Sequence, residues 1–189
     1  MKRISFFGIL ALFLVSLMTG CNTAKKEEDS GEIAEEKNEE NFGTRDGEKD
    51  ADFVVKAVEG NYAEIKLAQL GMNKSTDTGL KDIAMMLEKD HTKVLNELKD
   101  FAYKKGIAIP TEENKDAKDD LVDLEKKDLA EFNKDWLSML TDKHENTIKN
   151  FETIQEKTED TELKSWAIAT LPTLRTHLDK LKTYKDVLK

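Results

Sequence analysis

From residue 51 onward, large apolar residues return every three or four positions, the spacing of helices that bury one face, and no stretch alternates as a half-buried strand would. Val54, Val58, Ile65 and Met72 predict a first helix over 52–72. The polar turn at 73–77 offers several N-caps for a second helix, striped by Leu80, Ala84, Leu87, His91, Val94, Leu98 and Phe101. Gly106, behind Lys104 and Lys105, suits a C-terminal glycine cap, and residues 107–110 read as an extended link ending at Pro110. A short helix at 116–124 precedes a third long one over 128–156, which carries Phe132, Trp136, Leu140, His144, Ile148 and Phe151. Thr158 or Asp160 caps the fourth, which runs to 187 through Trp166, Leu171, Leu174, His177 and Leu181. Pro172 should bend that helix or break its early part. Four such helices with mostly short links predict an all-α fold, an antiparallel four-helix bundle occupying residues 51–189.

Two stripes echo one another. MLEKDHTKVLNEL at 86–98 and MLTDKHENTIKNF at 139–151 share Met-Leu-x-x-x-His, an aliphatic residue four positions on and a large apolar one seven on. Duplication of a hairpin and convergence on one packing pattern explain this equally well.

The first fifty residues follow a different pattern. Lys2 and Arg3, an unbroken apolar run and small residues before Cys21 make residues 1–20 a secretory signal peptide. Leu17-Met18-Thr19-Gly20-Cys21 resembles the bacterial lipobox, with Met18 in place of the usual leucine, so Cys21 is the expected lipidation site. Acylation would use up the only thiol, excluding disulfides and cysteine catalysis, and two or more chains would anchor the protein stably. Residues 22–50 are almost all polar or charged, with Ile33 and Phe42 the only large apolar groups. That composition predicts a disordered tether spanning roughly 30 Å. Its beginning, Lys-Lys-Glu-Glu-Asp, resembles the acidic export tag of some surface lipoproteins and also reads as a plain solvated spacer.

Composition narrows the function. Removing residues 1–20 leaves 28 basic against 39 acidic residues, a net charge of −11, and there is no basic patch with interleaved aromatics. Nucleic acid is excluded as a partner on these grounds, while the membrane enters through the anchor. There is no Gly-rich phosphate loop, Gly-x-Ser-x-Gly elbow or haem-attachment motif.

All three histidines, His91, His144 and His177, lie on apolar stripes of three different helices. An imidazole buried without a partner costs about 1–3 kcal/mol, so each needs one. With Glu64 from the first helix they form a three-nitrogen, one-oxygen set suited to a single transition-metal ion: zinc, copper or iron(II). The alternative is a closed core in which the histidines pair with acids, tryptophan or backbone. Ala57, Gly60, Ala68 and Gly71 around Glu64 would allow close helix approach. A di-iron site would need Glu-x-x-His twice; Glu88 and His91 supply one, but Thr141 and Leu174 stand where the other would begin.

Four blocks, at 53–71, 83–110, 132–152 and 163–181, resemble an uncharacterised bacterial envelope family, domain of unknown function 4142, often labelled outer membrane proteins. The most specific pieces are Glu64-Ile-x-Leu-Ala, Asp90-His91, His144 with Phe151, and Leu171-Pro172-x-Leu-x-x-His177-Leu. The resemblance implies a ferritin-like four-helix domain over about 51–185 and carries over Glu64, His91, His144 and His177 as its polar core. The family pattern has Asp directly before the third-helix histidine, where this chain has Lys143 with Asp142 one earlier. It implies no activity. The combined expectation is a lipid-anchored envelope protein, outer-membrane and periplasmic or surface-facing, acting as a binding or stress-protective module and not a turnover enzyme. Its alternative is a metal-binding oxidoreductase or metal-storage protein.

Cys21→Ser is expected to move the protein from the membrane pellet to the soluble fraction after cell fractionation; a variant that still pellets with membranes would refute lipid anchoring at this residue.

Overall fold

The computed structural model describes residues 29–188, so residues 1–20, expected to be a signal peptide, and Cys21 lie outside the described residues. Within them the chain is all helical, with no strand: α1 (Ser30–Asn41), α2 (Arg45–Lys74), α3 (Thr78–Lys105), α4 (Lys115–Lys126), α5 (Leu129–Lys157) and α6 (Thr161–Val187). Each helix begins where a short polar side chain can accept from a first-turn N–H: Asp29, Thr44, Asp77, Asn114, Asp128 and Asp160. Asp77 also accepts from the Tyr184 hydroxyl, tying the start of α3 to the end of α6. Gly106 ends α3 at φ 69°, a left-handed conformation that glycine adopts without steric cost.

Three-residue links join α2 to α3 and α5 to α6, so each pair must run antiparallel to stay packed. Further contacts of α2 with α5 and of α3 with α6 close the four long helices around a common interior. That interior has two apolar halves. One gathers Val54, Val58, Val94, Leu98, Ile148, Phe151, Leu171 and Leu174. The other gathers Leu67, Leu80, Leu87, Phe132, Trp136, Leu140 and Leu181. Gly71 serves the second half by close approach: a Cβ there would lie 2.8 Å from the Trp136 ring, whose indole N–H donates to the Leu67 carbonyl at 2.7 Å.

Two expectations need correction. Residues 30–41 and 45–50, read above as part of a disordered tether, are helical, forming α1 and the first turns of α2. Only large apolar groups were counted as a driving force, whereas α1 docks through Gly31, Ala34 and Asn38 at helical spacing, with Ile33 turned outward. The Asn38 amide donates to the Ala108 carbonyl at 2.9 Å and accepts from the Ala108 N–H at 2.7 Å. Gly31 sits so close to Glu59 that any Cβ would collide with its carboxylate. Pro172, in turn, does not break its helix: α6 is continuous through it. The carbonyl that loses a donor four residues earlier belongs to Ile168, an exposed residue where water can replace the bond.

Asn38→Ala is expected to destabilise the protein by about 1–2 kcal/mol, since both Ala108 groups lose their partner. Limited proteolysis should then cut first within 30–41, and an unchanged cutting pattern would mean that the clamp does not hold α1.

Candidate metal centre

Between the two apolar halves lies one polar layer, to which each long helix contributes a residue. Glu64 falls between Val58 and Leu67 on α2, His91 between Leu87 and Val94 on α3, His144 between Leu140 and Ile148 on α5, and His177 between Leu174 and Leu181 on α6. The four side chains expected from the stripes thus meet at one level. All four are at most 3% exposed, which rules out solvent as their general partner. The three imidazoles form a nearly equilateral triangle with ring centroids 5.3–5.4 Å apart.

The hydrogen bonds around this triangle assign the protons. Asn61 donates its amide to the Ala57 carbonyl at 2.7 Å, so its oxygen faces His91 Nδ1 at 2.9 Å and must accept from it. His144 Nδ1 is 2.9 Å from the Leu140 carbonyl, and His177 Nε2 is 3.0 Å from Asp90 Oδ2; both nitrogens must donate. In each neutral ring the remaining nitrogen, His91 Nε2, His144 Nε2 and His177 Nδ1, then carries a lone pair. These lone pairs have no donors to meet. His144 Nε2 faces His177 Nδ1 at 3.3 Å, and His91 Nε2 faces Glu64 Oε2 at 3.0 Å. The latter contact is short but misdirected for a hydrogen bond, which leaves both atoms buried without a hydrogen-bond partner. Glu64 Oε2 also lies 3.3 Å from His144 Nδ1, whose proton is directed to Leu140.

Burial and close contact also shift the titration of these groups. Burial opposes ionisation of Glu64, but the imidazoles of His144 and His91 outweigh it and hold the carboxyl down at about 2. Burial lowers His144, and it pushes His177 down to about 4 against the opposing pull of Asp90. The three rings can each offer a nitrogen with all three nitrogens within 4.8 Å of one another. Bonds of about 2.0–2.1 Å in a tetrahedron set ligand atoms roughly 3.3 Å apart, close to the 3.3 Å and 3.0 Å pairs already present.

A cleft of about 380 Å³ along α2 and α5 borders Glu64 and His91, whereas His144 and His177 do not line it. Gly60, expected to bring helices together, instead borders this cleft, and a Cβ there would meet nothing within 4 Å.

Other residues lie apart from the layer. Glu88, the one match to a di-iron pattern, accepts from Gln69 at 2.8 Å, and Thr141 turns its hydroxyl to the Leu137 carbonyl. Lys143 pairs with Asp120. Asn61 and Asp90, which orient His91 and His177, went unassigned as site residues. The available signal was position, since Asn61 shares a face with Glu64 three residues on and Asp90 adjoins His91.

A helical chain with one carboxylate and three imidazoles meeting in its core is the class defined so far. Over residues 31–184 it matches the domain of unknown function DUF4142, and it belongs to that family. No curated protein and no solved structure matches it.

Since His177 in the folded protein resists protonation, the unfolded chain takes up that proton first as pH falls below about 6.5. Stability of the metal-free protein should therefore be complete above that pH and decline towards pH 4, by on the order of 2–3 kcal/mol. Thermal melting in chelator between pH 7 and pH 4 checks this, and a melting temperature that is level or rises on acidification would contradict burial of a neutral His177.

Proposed function

We propose that this chain is a metal-binding member of its family, built as a ferritin-like antiparallel four-helix bundle from α2, α3, α5 and α6. It would be held in the bacterial envelope by lipid on Cys21. The observation that carries the metal reading is the buried, donor-less facing of His91 Nε2 and Glu64 Oε2 at 3.0 Å. Two acceptors so placed repel unless a proton or a cation lies between them. Each imidazole is also fixed from behind by an acceptor, the arrangement by which proteins set tautomer and ring direction in metal ligands. Three nitrogens and one carboxylate oxygen suit zinc, copper or iron(II), one ion per chain.

Envelope placement rests on the signal sequence and lipobox, and no helix among the described residues is long and apolar enough to cross a membrane. With the anchor in the membrane and a strongly acidic surface, the domain is a metal-holding or stress-protective module beside the lipid and not a nucleic-acid binder.

Elemental analysis of protein purified without chelators, compared with His91→Ala/His144→Ala, tests the reading. Near-stoichiometric zinc, copper or iron in the wild type, absent from a variant whose circular dichroism is still helical, is the expected result. A wild-type protein that holds none of these metals and takes up none when they are added would overturn it.

A further inference from the structure

The helix α1 is held on the fold by few groups. It supplies no residue of either apolar half, and its buried residues are Gly31, Ala34 and Asn38. A helix of twelve residues is marginal in water on its own, so α1 depends on its contact with α2. Its own charges oppose it. Five glutamates accompany one lysine, and Glu32–Glu36, Glu35–Glu39 and Glu36–Glu40 place like charges four residues apart. The Asn38–Ala108 clamp holds its C-terminal half. Its N-terminal half faces Glu59 of α2, whose half-buried carboxylate is pressed against Gly31. Asp29 and Glu35 add negative charge there, opposed by Lys56 of α2 and by the Asn114 amide, 3.5 Å from Glu59 at the start of α4. Lys115 and Lys118 of α4 pair instead with Asp119 and Glu112. Burial first, and Asp29 next, raise the Glu59 carboxyl above its ordinary value.

We propose that α1 is a releasable strap: the negative charge on Glu59 loosens it from α2, neutralising that charge fastens it, and release adds residues 29–41 to the chain ahead of the bundle. Phe42, packed against the apolar half around Val54 and Phe151, pins the chain where α1 ends, so the strap leaves with the four long helices intact. The direction with pH follows from linkage. Glu59 holds its proton more firmly in the docked state than in the released one. Docking is therefore tightest below the ordinary value of 4.5 and weakens as pH rises through the docked value. At neutral pH the strap is in its weakened state. The core responds in the opposite sense, since acid destabilises it through His177, so the two effects separate by location. Neither a metal ion nor acylation of Cys21 takes part in this release.

The experiment is hydrogen-exchange mass spectrometry on the mature protein, wild type and Glu59→Gln, at pH 7 and pH 4.5. Protection is expressed relative to the unstructured chain at each pH, and Asn38→Ala supplies the open reference. Glutamine keeps the shape of the side chain and removes its charge. At pH 7, Glu59→Gln is expected to raise protection across residues 30–41 at least about threefold and to leave α3 and α5 unchanged. The wild type is expected to gain similar protection in 30–41 on going from pH 7 to pH 4.5, a gain that Glu59→Gln lacks. Equal or lower protection of 30–41 in Glu59→Gln at pH 7 overturns the inference, because the carboxylate is then neutral to docking or supports it through Asn114. Wild-type protection in 30–41 that is independent of pH, or as high at pH 7 as in α5, overturns it too.

Discussion

One carboxylate held among three imidazoles in an apolar interior governs the rest of the structure. Removing these groups from water is costly unless each finds its partner, so the four long helices are not free to slide past one another. A shift of one turn on α3 would bring Leu87 to Glu64 and carry His91 away from Asn61. The layer therefore specifies register in a way that two uniform apolar halves could not. Its outer hydrogen bonds, to Asn61, Asp90 and the Leu140 carbonyl, extend the same constraint to the ring orientations.

The cleft lies along a seam between helices that no short link joins. The three-residue links hold α2 against α3 and α5 against α6 along their length, whereas α2 and α5 meet only through the fold. Small residues at 57 and 60 leave that seam unfilled beside Glu64. At Gly71 the same helix uses a small residue to the opposite end, admitting the Trp136 ring. One helix thus admits a ring at one glycine and borders a cleft at another.

How far the sequence could be read depended on contrast. The long helices stood out because large apolar residues recur among charges, and Gly106 and Asp160 marked real ends. Three histidines and one glutamate were visible as polar breaks in apolar stripes, and these are the groups that meet in the core. Asn61 was not visible, and Asp90 only as part of a motif with His91, because in a chain with 37% charged residues a further polar residue at a stripe's edge carries little contrast. The α1 helix escaped notice because its docking uses Gly31, Ala34 and an asparagine's two hydrogen bonds. The cleft is a space, and side-chain periodicity records what fills a helix face, not what leaves it empty.

The docking of α1 changes how the domain would sit on a membrane. Asp29 caps α1 and accepts from the Lys115 N–H at the start of α4, so the chain is fixed to the fold from its first described residue. With Cys21 lipidated as proposed, eight residue steps separate the anchor from that point. A chain of that length reaches at most about 28 Å, against roughly 100 Å at full extension for the thirty-residue tether that composition suggested. The domain would then stay close above the lipid, in a place set by where α1 docks.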